Sequence, residues 1–282
     1  MTAINVLLQR EAGHLVTDAA WYDLDGVVQN FGPKSQVVAH WPGAIAARGP
    51  GLANAMIATE AGLLFADFDA FADGAAAFLQ NWCEREADHL AGWLEQGHVE
   101  VIAIGWSRAQ DRPRAIFVSS KDETAEAEAR GIKIDAETMH LALPYQVLEI
   151  DAGYVRPLPT SEAMAFYKVD PEADFDELPS IAHYAAGIVC AQRELREPLL
   201  PGGEPVCFVG GYMMMTTITR HGVSAVKGIV FPDVPGRRIS AQRADVILPA
   251  IADRIVALAT GGMTRQQRRA AEAQAKKGRT HA

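Results

Sequence analysis

Threonine at the second position offers a chemistry that an internal threonine lacks. Met aminopeptidases usually clear a Met that precedes a small residue. With Met1 removed, Thr2 carries a hydroxyl and a free α-amine on one residue. That is a nucleophile with its own base. The hydroxyl alone is a poor nucleophile at neutral pH. An α-amine titrates at about 7.7–8.0 and can take its proton. Counted from Thr2 as one, Asp18 is the seventeenth residue and Lys34 the thirty-third. A lysine beside the amine favours the neutral amine and stabilises negative charge on the hydroxyl oxygen. An aspartate would orient that lysine and hold its charge.

Short apolar strands must position these residues. Ala3–Gln9 and Leu15–Trp21, turned by Glu11-Ala12-Gly13, predict a hairpin. Val27–Phe31, Gln36–Trp41 and Ala44–Ala47 extend the run of antiparallel strands to residue 50. From Leu52 to Leu94 the pattern is helical: Phe68, Phe71, Ala75, Phe78, Leu79 and Trp82 share a face, with Asp67 or Asp69 as cap. Val99–Ser107 and Ala115–Ser119 read as paired strands across Asp111-Arg112-Pro113. Gln146–Ile150 reads as a strand, Tyr154–Thr160 as a loop and Asp170–Asp176 as an acidic loop. Pro179–Leu195 is the clearest helix, with Pro179 in its first turn. Pro198–Pro205 is a loop, Val206–Thr219 and Val223–Phe231 a hairpin, and Ala244–Leu258 a final apolar helix. Strand runs alternating with helix runs predict an α+β fold with antiparallel sheets. Residues 1–260 form one domain with a surface insertion near 121–137, and 261–282 a basic, flexible tail.

Composition narrows the function classes. Of 282 residues, 49% are apolar, enough for a sizeable core. The net charge of −9 is uneven. Residues 264–282 hold six Arg or Lys and one Glu, leaving the rest of the chain at about −14. An acidic body argues against duplex nucleic acid lying on it and leaves only a tail-mediated contact. Cys83, Cys190 and Cys207 have no CxxC spacing, so free thiols in a cytoplasmic protein are expected. No apolar run approaches 18 residues, so no membrane span is expected. The eight histidines form no HxH or HxxxH pair, so no metal is expected. Gly105-Trp106-Ser107 lacks the second glycine of a nucleophile elbow. Met213-Met214-Met215 and Cys207 read as packing residues.

The Thr2, Asp18 and Lys34 spacing, the strand setting and the Gly-rich end at Arg48-Gly49 resemble the proteasome β-type peptidases. The closest likeness is to the peptidase subunit of the bacterial heat-shock-locus protease. The likeness extends loosely to about Val234: Pro179–Leu195 is similar to the family's late helix, and Val209-Gly210-Gly211-Tyr212 through Gly222 to the Gly-Gly hairpin after it. The resemblance implies a four-layer αββα sandwich, the N-terminal-nucleophile hydrolase fold. It also implies cleavage of an amide bond, in a peptide, through an acyl ester on Thr2, with a backbone N–H near Gly49 stabilising the oxyanion. No cofactor is required, and self-association into rings is implied.

Two other readings stay open. One is a structural or interaction protein that keeps the sandwich without activity. The family's Gly-Ser-Gly-type stretch favours it, because the corresponding region here, Asp151-Ala152-Gly153-Tyr154, has no Ser. The other is an amidase for a small molecule.

Overall fold

The computed structural model describes residues 2–38, 40–89, 98–122, 143–198 and 203–241. Met1, most of the Lys121–Glu137 insertion, the end of the Leu52–Leu94 run, the Ala244–Leu258 helix and the basic tail lie outside them.

The strands are β1 (Ile4–Leu8), β2 (Gly13–Thr17), β3 (Ala20–Tyr22), β4 (Val28–Phe31), β5 (Ser35–Val37), β6 (Gly43–Arg48) and β7 (Glu100–Ser107). They continue with β8 (Arg112–Ser119), β9 (Leu148–Ile150), β10 (Gly153–Arg156), β11 (Glu197–Pro198), β12 (Pro205–Val206), β13 (Tyr212–Thr219) and β14 (Gly222–Val230). Four helices are described: α1 (Ala53–Leu64), α2 (Phe68–Arg85), α3 (Ser161–Phe166) and α4 (Ile181–Arg193). One five-stranded sheet has the order β10-β1-β2-β13-β14 and a second the order β5-β6-β7-β8-β9; β3-β4 and β11-β12 are separate ribbons. The pairings within both large sheets are antiparallel, so the chain is mixed α+β with antiparallel sheets.

Along the strands of the two large sheets, alternation divides the described apolar residues among three cores, and a small fourth cluster of Ala20, Val28, Cys207 and Ile239 lies by the β3–β4 ribbon. Ile4, Val6 and Leu15 face Ala44, Ile102 and Phe117 across the gap between the sheets. The opposite faces of β6, β7 and β8, through Ile45, Val101 and Ile116, meet α1 and α2 at Ile57, Phe71 and Trp82. The opposite faces of β1, β2 and β13, through Leu7, Val16 and Met213, meet α4 at Ile188 and Val189. These contacts are compatible with a sandwich. Local chemistry sets the helix starts. Asp67 accepts from the Ala70 N–H at 2.9 Å and Ser180 from the His183 N–H at 3.2 Å.

Several boundaries differ from the sequence expectation. Leu15–Trp21 is two strands, because Asp18 turns its carboxylate inward and breaks the ladder between β2 and β3. The Leu52–Leu94 run is not one helix: α1 ends at Leu64, and α2 starts afresh at Phe68 behind its cap Asp67. Tyr154–Thr160 is not all loop: β10 ends at Arg156, ahead of Pro157. Val206–Thr219 is interrupted at residues 207–211, where the amides of Gly210 and Gly211 turn to carboxylates instead of a neighbouring strand. Pro179 precedes the cap of α4 rather than opening its first turn. Among the described residues, no helix is long and apolar enough to cross a membrane.

One buried group ties this fold to pH. His14 on β2 is 4% exposed, with Nδ1 3.0 Å from Thr217 Oγ1 and Nε2 3.0 Å from Gln9 Oε1. Burial lowers its pKa from 6.5 to about 4. The unfolded chain then binds a proton that the folded chain refuses, so stability falls as pH drops from 6.5 towards 4. The expected loss is about 3 kcal/mol. Urea unfolding across that range should show it, and His14→Gln should flatten the slope.

Candidate functional site

Asp18 and Lys34 form a buried ion pair at one end of the gap between the sheets. Lys34 Nζ donates to Asp18 Oδ1 at 2.9 Å and to Oδ2 at 3.0 Å. Asp18 is 0% and Lys34 4% exposed. Three backbone amides complete the carboxylate: Ala3 N–H donates to Oδ1 at 3.0 Å, and Ala20 and Gly210 N–H each donate to Oδ2 at 3.2 Å. This many donors fixes the carboxylate in one orientation. Burial lowers the Lys34 pKa; the charge and hydrogen bonds of Asp18 oppose this, and Arg48 adds to the lowering. Tyr22 places its ring 5.5 Å from Lys34 Nζ. Burial, and then the Asp18 charge, push the Tyr22 phenol well above its usual range.

Thr2 enters through the backbone. The Ala3 amide that meets Asp18 belongs to the peptide bond between Thr2 and Ala3. Ala3 sits in the core under α4 and Ile4 in the core between the sheets. Thr2 is half-buried. The fold thus gathers Asp18 and Lys34 directly and holds the Thr2 main chain one peptide from them.

Gly49 follows the last residue of β6. Its φ is +140°, and a Cβ there would lie 3.0 Å from the His98 carbonyl oxygen and close to Val99. Only glycine fits that close approach without strain. The atoms that such a Cβ would meet belong to His98 and Val99, the two residues before β7, and not to Asp18 or Lys34.

The sequence reading missed a second polar cluster beside the pair. Glu100 on β7 is 0% exposed and takes Arg48 Nη1 at 2.9 Å, Arg156 Nη2 at 3.0 Å and the His98 ring. Burial raises its pKa, but Arg48, the His98 hydrogen bond and Arg156 outweigh that and hold the carboxyl well below the usual carboxylate range. The available signal was a lone glutamate opening the apolar run Val101–Ile104, opposite Arg48 in the β6–β7 register. The Asp151–Tyr154 region, by contrast, is the β9–β10 turn and the start of β10, where the Leu8 amide donates to the Ala152 carbonyl at 2.8 Å. It lies at the opposite end of β1 from Thr2, so a Ser there would not reach the pair. A cavity of about 830 Å³ opens at that far end, lined by Leu8, Gln9, Val155, Phe175 and Tyr184 among others, and it includes neither Asp18 nor Lys34. Near the pair, the buried Thr17 hydroxyl has no hydrogen-bond partner among the described residues.

Among the described residues, no group of three or more His, Cys, Asp and Glu side chains could hold a metal ion. The three cysteines are free and buried, and burial pushes the Cys190 thiol up to about 12. Such a thiol is no nucleophile at neutral pH. The arrangement can therefore supply a positioned cation of lowered basicity, a fixed carboxylate and a nearby threonine backbone. Compared with known proteins, the chain matches no family model and no curated sequence.

Proposed function

We propose that the chain is an N-terminal-nucleophile hydrolase, a four-layer αββα sandwich that cleaves an amide bond, in a peptide, with Thr2 as nucleophile. The observation that carries this is the buried Asp18–Lys34 pair, held one peptide from Thr2 by the Ala3 amide. Removal of Met1 is a requirement of the reading. The α-amine of Thr2 then takes the hydroxyl proton as Oγ attacks the substrate carbonyl carbon. Lys34 stabilises the developing negative charge, and Asp18 holds Lys34 in place. The C–N bond breaks and the leaving amine carries off the proton. Water adds to the resulting ester, giving up a proton to the α-amine, which returns it to Oγ as the acid leaves. A Gly49 amide serving as oxyanion donor, and self-association into rings, belong to the same reading.

Intact-mass measurement tests it. Purified protein should lack Met1, and a β-lactone should add one inhibitor mass to the wild type and none to Thr2→Ala. Complete retention of Met1, or no adduct, rejects the reading. A second reading has its own support: every donor around Asp18 is internal, so the pair also serves to pin β1, β3 and the Gly210 loop together. A protein that keeps the pair for that purpose alone would remain unlabelled yet depend on Lys34 for stability.

A further inference from the structure

We propose that Asp233 and Arg193 are positioning residues for the Asp18–Lys34 pair, acting through the successive amides of Gly210 and Gly211; this rests on the Thr2 reading. Gly210 N–H donates to Asp18 Oδ2 at 3.2 Å, and the next amide, Gly211 N–H, donates to Asp233 Oδ2 at 2.8 Å. The two carboxylates thus hold neighbouring peptides of one loop. Asp233 is in turn gripped by Arg193, the last residue of α4, through Nη1 at 2.8 Å and Nη2 at 2.5 Å. Both side chains are buried.

Three carbonyls of the loop are held from inside the protein as well. Arg193 Nη1 also donates to the Val209 carbonyl at 2.9 Å. The Ala19 amide donates to the Gly210 carbonyl at 3.1 Å, and the Phe231 amide to the Gly211 carbonyl at 2.8 Å. The clamp presses close: a Cβ on Gly210 would lie 2.5 Å from Asp233 Oδ2 and 3.0 Å from Arg193 Nη1. Gly211 itself has a positive φ of +75°, a conformation that glycine adopts without strain. An ion pair in this setting is a poor way to gain stability, since desolvation opposes it; its use lies in fixing one geometry. The geometry fixed here ends on Asp18. The other groups facing Asp18 are Lys34, which immediately precedes β5, and Tyr22 on β3, with Arg48 at the end of β6 acting on both. Asp233 and Arg193 do not touch the reacting atoms and act only through the loop.

The test uses full-length Asp233→Asn, with Arg193→Lys as the conservative partner that keeps the charge and loses the fork. A β-lactone supplies the labelling kinetics, and hydrogen exchange of the Gly210 amide supplies a readout independent of activity. In Asp233→Asn, the maximal labelling rate should fall about 10–100-fold, with inhibitor affinity within about twofold and final labelling still complete. The Gly210 amide should exchange at least about tenfold faster while amides in the middle of α2 stay unchanged. Arg193→Lys should fall between wild type and Asp233→Asn, and it carries the test if Asp233→Asn does not fold. Unchanged labelling rate with unchanged Gly210 exchange overturns the proposal. So does a loss confined to the labelled fraction, which is what misfolding alone produces. If the wild type takes no adduct, the Thr2 reading fails, and Gly210 exchange by itself then decides whether Asp233 holds that amide on Asp18.

Discussion

Lys34→Met should lower the unfolding free energy by about 3–5 kcal/mol at neutral pH and abolish labelling by a β-lactone. Asp18 has no exposed surface, and Lys34 is its charged hydrogen-bond partner. Without the lysine, an ionised carboxylate remains in the interior with three backbone amides and no counter-charge. A buried carboxylate that has lost its charged partner is costly. The double variant Asp18→Asn, Lys34→Met separates structure from chemistry. Removing both charges should recover most of the lost stability, because a buried pair replaced as a unit is often near neutral. Labelling should not return. Urea unfolding of the two variants beside the wild type checks the first part, and intact mass the second. A loss below about 1 kcal/mol in Lys34→Met would mean that the pair is not coupled as its geometry requires.

The second large effect lies at Glu100. Glu100→Gln should cost about 3–5 kcal/mol at pH 7, since it strands Arg48 and Arg156 around a neutral amide between the sheets. The pH dependence has a definite sign. The folded pKa of Glu100 lies below its ordinary value of 4.5, so its contribution is fully present above 4.5 and is lost as pH falls through the folded value. Wild type and variant should therefore differ most near neutrality and converge in acid. The His14 loss occupies a separate window, between pH 6.5 and about 4, and should persist in Glu100→Gln. Denaturation curves at pH 7, 5 and 3 distinguish the two groups. If the gap between wild type and variant does not narrow in acid, Glu100 is not the ionised centre of this cluster. The substitution also leaves Arg48 uncompensated, and Arg48 already depresses the Lys34 pKa. Labelling by a β-lactone should then reach its maximum at a lower pH than in the wild type.

Much of the architecture was legible from periodicity. The aromatic face of α2 repeats at helical spacing, and its capping aspartate stands one residue ahead of the helix. β1 and β2 show as short apolar runs either side of a glycine turn. The breaks were less legible. Asp18 ends β2 because its carboxylate finds amides from Ala3 and from Gly210, 192 residues away, and local propensity carries no sign of such a partner. Gly210-Gly211 reads as part of the Val206–Thr219 strand, yet its amides are committed to two carboxylates and its carbonyls to two amides.

The chain order by itself determined which residues could do chemistry: a threonine near one end, an aspartate and a lysine at the interruptions of apolar strands. It also determined the local elements, because period and capping are properties of neighbouring residues. Only the tertiary structure decided that Asp18 and Lys34 meet, that Glu100 gathers two arginines, and that Asp233 reaches the same loop as Asp18. Those pairings join residues far apart in sequence. Their strength comes from the low-dielectric interior, which exists only once the sheets and helices have closed over them.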